Sequence, residues 1–89
     1  MSDPVVTELR EQITAVDRDL VANVNRRLEI VRQLHDHKLA NGIPLRDHGR
    51  EESMLALLAR ENGGPLSEAG LADLYKHVLD LTRRELHGA

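Results

Sequence analysis

The chain has 89 residues, of which 40% are apolar, 30% charged and 1% aromatic, and its formal net charge is −3 at pH 7. That length suits one domain just above the size at which a single core becomes hard to sustain. Without Phe or Trp the core must come from Leu, Ile, Val and Ala, and the chain lacks both the basic excess and the stacking aromatics of a nucleic-acid binder.

Helix signals dominate from the start. In "SDP" (2–4) Asp3 can cap a helix and Pro4 suits its first position. No Gly or Pro follows until Gly42, and apolar residues recur at Leu9, Ile13, Val16, Leu20, Val24, Val31 and Leu34 in steps of three, four or seven. The spacing predicts one helix over about 4–40, roughly 50 Å long at 1.5 Å per residue. A compact chain of this size has a radius of gyration near 12 Å, so such a helix needs a partner. "NGIPLRD" (41–47) breaks it: Gly42 ends the helix and Pro44 forbids immediate continuation. Asp47 can cap a second helix over about 47–62, whose apolar content is Met54, Leu55, Leu57 and Leu58. "NGGP" (62–65) stops it. A third helix over about 67–86 starts with Ser67 as cap and Leu66 and Leu71 spaced as a hydrophobic staple, and its stripe runs Leu71, Leu74, Tyr75, Val78, Leu81, Leu86. No strand pattern or repeat competes. The expected fold is all-α, a three-helix subunit with one very long N-terminal helix, in an intertwined homodimer, residues 1–89 forming a single domain.

The stretch "NRRLEIVRQLHDHK" (25–38) carries an anomaly. At about 100° per residue, Arg27 and Lys38 share a narrow stripe with Val31 and Leu34. Long cationic side chains often lay their stems on apolar surface and keep their heads in water. Burial of both would cost several kcal/mol per ion unless counter-charges arrive. Asp47, Glu51 and Glu52 are the internal candidates; the external one is an anionic ligand, and two separated cations suit a small dicarboxylate. Arg clamps a carboxylate through its two-pronged donor geometry, and Lys supplies a point charge.

Other chemistries find less support. Cysteine is absent, which excludes disulfides, thiolate zinc sites and cysteine nucleophiles. No apolar run approaches the ~18 residues of a membrane span, and the start of the chain does not read as a signal peptide, so a cytoplasmic protein is expected. His35 and His37 are two apart and point about 200° from each other on a helix, so they cannot share a metal and read as a solvated face. His48, His77 and His87 show no ligand spacing either. "GG" at 63–64 is a helix stop and no phosphate loop. Ser2, Ser53 and Ser67 lack a nucleophile's context, and "RRE" (83–85) reads as exposed helix charge.

Three features coincide: "LREQITAVD" (9–17) on a long N-terminal helix, cations at Arg27 and Lys38 on its inner stripe, and "PLRDHGRE" (44–51). In this order and spacing they resemble the all-helical chorismate mutases of the AroQ type, over essentially the whole chain, and small actinobacterial members most of all. The resemblance implies a homodimer whose long helices pair and contribute to both active sites. It implies the Claisen rearrangement of chorismate to prephenate, in aromatic amino acid biosynthesis, with no cofactor, no metal and no covalent intermediate.

Residue by residue, the resemblance assigns Arg27 to one substrate carboxylate and Arg10 of the opposite subunit to the other. Lys38 would touch the ether oxygen and a carboxylate. Glu51 would accept from the ring hydroxyl, helped by a backbone amide near Asp47, while Arg50 adds positive charge. Thr82 falls where the family often has a small hydroxyl residue. The chain departs from the family at Leu86, where a Gln or Glu usually donates a second hydrogen bond to the ether oxygen; a one-residue shift would bring Glu85 or His87 there instead. The expectation is a modest stand-alone catalyst, and some small relatives gain activity by docking onto DAHP synthase, the first enzyme of the shikimate pathway. Rival readings on the same scaffold are a 4-amino-4-deoxychorismate mutase, whose carboxylate clamps would be identical, and an isochorismate-pyruvate lyase, disfavoured because those enzymes differ in the loop corresponding to "PLRDHGRE". A non-catalytic helical dimerisation module is the alternative outside enzymes.

Overall fold

The computed structural model describes residues 3–87. Ser2, set aside above as a nucleophile, lies outside them. Three helices follow in chain order: α1 (Pro4–Ala40), α2 (His48–Glu61) and α3 (Glu68–His87). No strand occurs among the described residues, and no helix is long and apolar enough to cross a membrane.

The helix ends follow from local chemistry. Asp3 Oδ1 accepts from the amides of Val5 (2.8 Å) and Val6 (3.3 Å), satisfying donors that the first turn leaves orphaned. At the other end of α1, Gly42 has φ +66°, the left-handed conformation that glycine takes without steric cost. That turn brings the Ile43 amide back to the Lys38 carbonyl (2.9 Å), the longer bond of a Schellman motif. Asp47 caps α2 by accepting from the Arg50 amide at 3.0 Å, and Ser67 caps α3 by accepting from the Gly70 amide at 3.0 Å. Between them Asn62 organises the turn: its side-chain amide donates to the Leu66 carbonyl (2.8 Å) and its oxygen accepts from the Gly64 amide (3.2 Å). Leu66 folds over Gly70, where a Cβ would come within 2.9 Å of Leu66 Cδ1.

The chain divides into two compact units, residues 1–33 and 34–89. The first is the greater part of α1. Its apolar stripe is uncovered: Leu9, Ile13, Val16 and Leu20 are 51–64% exposed. Half-buried positions appear only from Val24 onward, at Arg27, Leu28 and Val31. Local side-chain bonds within it include Thr14 Oγ1 to the Arg10 carbonyl (3.0 Å) and the Glu29–Arg32 pair (2.8 Å).

The second unit holds the end of α1, α2 and α3, with α2 packed on α3. Leu71 is its buried hydrophobic residue, with Met54, Leu55, Leu57, Leu58, Tyr75, Val78 and Leu81 half-buried around the helix contact. One expected stripe member lies elsewhere, and a residue outside the expected stripe is buried. Leu74 is half exposed, and Thr82 takes a buried place. Thr82 sits eleven residues after Leu71, about 20° around the helix from it. Its hydroxyl can be buried there because Oγ1 donates to the Val78 carbonyl at 2.7 Å. On α1, Leu34 is exposed and His35 is covered instead, because His87 from the end of α3 stacks on it with ring centroids 5.0 Å apart.

Candidate active site

Lys38 is anchored through both its backbone and its side chain. Its carbonyl accepts the amides of Asn41 (3.2 Å) and Ile43 (2.9 Å) in the glycine turn. Its ammonium donates to the Leu45 carbonyl at 3.2 Å, so the loop 41–47 closes around one side chain. Lys38 is half-buried, and its head meets a carbonyl where an internal carboxylate was a candidate. A single neutral acceptor leaves an ammonium with two further donors for an incoming anion.

Glu51, in the first turn of α2, has a different environment. One guanidinium approaches each carboxylate oxygen: Arg46 from the loop reaches Oε2 at 3.3 Å, and Arg83 from α3 lies 3.7 Å from Oε1. Arg83 is itself held by Asp80, one turn earlier on α3, at 2.6 Å. That hydrogen bond, reinforced by the charges of Arg83, Lys76 and His77 against a smaller effect of burial, keeps the Asp80 carboxyl below its usual range. The Glu51 side chain is 24% exposed, enough to meet a ligand. A carboxylate offers about four lone-pair directions, so two guanidiniums leave room for another donor.

Around this pair, Asp47 spends one carboxylate oxygen on the α2 cap, which sets the first-turn amides beside Glu51. Arg50 is exposed. Thr82 is buried and Leu86, one turn later, is half-buried on the same side of α3, whereas Glu85 and His87 are exposed. In the other unit, Arg27 is half-buried while Arg10 is exposed, sharing a shallow concavity on α1 with Thr7, Glu11, Thr14 and Arg18. Lys38, Asp47, Glu51, Thr82 and Leu86 thus belong to one compact unit, Arg10 and Arg27 to the other.

Two features depart from the sequence reading. His35 is not a solvated residue: it is half-buried, stacks on His87, and its Nδ1 is enclosed without a hydrogen-bond partner. Burial, followed by the nearby charges of His87 and Lys38, lowers its pKa, against a smaller opposing effect of Asp36. No cluster of His, Cys, Asp or Glu among the described residues could hold a metal ion. Arg83 is the second departure, since it reaches across to α2 where "RRE" suggested exposed charge. The available signal was its spacing. Arg83 follows Thr82, Asp80 is its i−3 neighbour, and α3 must face α2 with the side that carries Thr82.

The sequence matches the family described as chorismate mutase type II over residues 9–86. The chain belongs to that family. The family is one of isomerases, and the all-α fold with its long first helix is the fold of its solved members. A structure of chorismate mutase (form I) from Thermus thermophilus superposes with a TM-score of 0.84 at 28% identity, covering 86% of this chain and 96% of the Thermus chain. Form II of the Thermus protein gives a TM-score of 0.83 at 28% identity, covering 86% and 88%. No curated protein sequence matches the chain.

Proposed function

We propose that this chain, residues 1–89 acting as a single domain, rearranges chorismate to prephenate as a homodimer with sites shared between subunits. The family match over residues 9–86 carries the reading. Chemistry at the site agrees with it. The rearrangement breaks the ether C–O bond as a C–C bond forms within one molecule, so no proton donor, metal or cofactor is required. The catalyst must hold a dianion in a chair-like conformer and stabilise negative charge growing on the ether oxygen.

In this reading Arg27 clamps one carboxylate and Arg10 of the partner subunit takes the other. Lys38, fixed by the turn at Gly42, points its free donors at the ether oxygen and a carboxylate. Glu51 accepts from the ring hydroxyl beside the first-turn amides of α2, Arg50 adds positive potential, and Thr82 and Leu86 contribute the wall from α3. The half-buried Leu86 one turn after buried Thr82, with Glu85 exposed, supports the register that leaves Lys38 as the ether's only charged donor. Loss of a second donor costs about 3–4 kcal/mol of transition-state stabilisation, so the enzyme alone should be modest. A complex with DAHP synthase would be one way to recover rate, and unchanged kinetics on adding that enzyme from the same organism would remove the suggestion. The uncovered stripe Leu9, Ile13, Val16, Leu20 supports pairing with a second copy.

The test is to incubate purified protein with chorismate and identify the product. Prephenate is expected. Unchanged chorismate would overturn the activity, and turnover confined to isochorismate or the amino analogue would move the chain to a sibling reaction.

A further inference from the structure

Resting on the assignment of Glu51 to the ring substituent, we infer that Arg83 is a positioning residue which, with Arg46, makes the site select a neutral hydroxyl over an ammonium at that substituent. The geometry is a three-element clamp. Arg46 comes from the loop before α2, Glu51 from the first turn of α2, and Arg83 from the penultimate turn of α3. Each carboxylate oxygen has its own guanidinium, at 3.3 Å and 3.7 Å. Asp80, 2.6 Å from Arg83, holds that guanidinium from behind. A carboxylate fixed at both oxygens has little rotational freedom, so its remaining lone pairs point in set directions.

Charge decides the selectivity. A free carboxylate attracts an ammonium more strongly than a hydroxyl. Here Glu51 contributes −1, its two guanidiniums +2 and Asp80 behind Arg83 −1, so the cluster is neutral overall and the charge of Glu51 is already paired. A hydroxyl can still donate to a lone pair of Glu51, because hydrogen bonding needs only an oriented acceptor. The allylic amine of 4-amino-4-deoxychorismate is protonated at neutral pH, and a carboxylate already paired with two guanidiniums does not repay the desolvation of that ammonium, a penalty of the kind that specific sites use against near-isosteric competitors. Both substrates keep the same two carboxylates, so the discrimination falls on this cluster.

The experiment measures kcat/KM for chorismate and for its 4-amino analogue with the wild type, Arg83→Met, Arg83→Lys, Glu51→Gln and the double variant Glu51→Gln/Arg83→Met. Circular dichroism and the oligomeric state of each variant accompany the kinetics. Arg83 is partly exposed, so its removal should lower kcat/KM for chorismate by about fivefold, mainly through KM. The ratio of chorismate to amino analogue should fall by more than that, because Glu51, relieved of one guanidinium, attracts the analogue's ammonium more strongly while chorismate loses a positioned acceptor. Arg83→Lys should retain most of the ratio, and in the Glu51→Gln background Arg83→Met should change little. An equal loss for both substrates, persisting in the Glu51→Gln background, would make Arg83 a merely structural tie between α2 and α3 and overturn the inference. If Glu51→Gln itself leaves chorismate turnover intact, the assignment of Glu51 fails, and the inference falls with it. Failure of the clamp alone would instead show as an active, Glu51-dependent enzyme indifferent to Arg83.

Discussion

The two units of this chain are stabilised in opposite ways. Residues 34–87 tie three helices together: Lys38 to the Leu45 carbonyl, Glu51 to Arg46 and Arg83, His35 against His87, and a buried Thr82 whose hydroxyl is satisfied. Residues 3–33 have the composition of a core helix without its cover. Hydrogen bonds such as Thr14 Oγ1 to the Arg10 carbonyl stay within a turn, and the stripe from Leu9 to Leu20 remains more than half exposed. Helices depend mostly on tertiary packing of an apolar face, so the exposed stripe of the N-terminal unit is where the second copy of the proposed dimer would pack. The proposed site cations follow the same division, with Lys38 in the second unit and Arg10 in the first.

The sharpest way to break this contrast is to charge the uncovered stripe. Ile13→Asp should shift the protein to monomer by light scattering and reduce turnover at least ~100-fold, because a buried carboxylate at a dimer seam costs several kcal/mol. A comparable substitution at exposed Ala56 should leave both unchanged. A Lys38→Ala variant tests the other unit. Its kcat should fall by about 10²–10³-fold with helicity and dimer retained, the scale of removing one transition-state donor. A smaller effect acts in the opposite direction. Leu86→Gln should raise kcat by about tenfold if Leu86 faces the ether oxygen, by restoring part of a missing donor's contribution; no change in a folded variant would shift the register to a neighbour.

The smallest expected effect is one of pH. His35 has a folded-state pKa below its unfolded value of about 6.5. Its neutral form is therefore favoured by the fold, and stability is fully present above that unfolded value. It declines as pH falls through 6.5 towards the folded pKa, where the unfolded chain binds more protons. Urea midpoints for wild type and His35→Gln should converge as pH drops from 7.5 to 5.5. Parallel midpoints would show that the His35–His87 stack is not titrating.

Much of this was legible in the residues themselves. Asp3, Asp47, Ser67 and Gly42 act as the caps and stop their chemistry predicts, because capping is decided within four residues. The apolar spacing of α1 was equally legible. Contacts between helices were less so. A periodicity of 3.6 places Leu34 and His35 almost equally near the face of Lys38, and only the end of α3 decides that His35 is covered. Arg83 was hidden for the same reason: its value depends on where α2 presents Glu51, a distance that helix spacing does not encode. Thr82 was assigned by resemblance, but its burial depends on an i−4 carbonyl that accepts its hydroxyl.

One measurement bears most directly on the shared site. Arg10→Ala and Lys38→Ala proteins, each nearly inactive, are mixed, allowed to exchange subunits and assayed with chorismate. In a mixed dimer one site combines an intact Lys38 with an intact Arg10 from its partner, and the other lacks both. Statistical exchange makes half the dimers mixed, so turnover should recover to about a quarter of wild type. If the mixture stays as inactive as its parents while mixed dimers are demonstrably present, Arg10 and Lys38 do not meet across the subunits and the account is wrong.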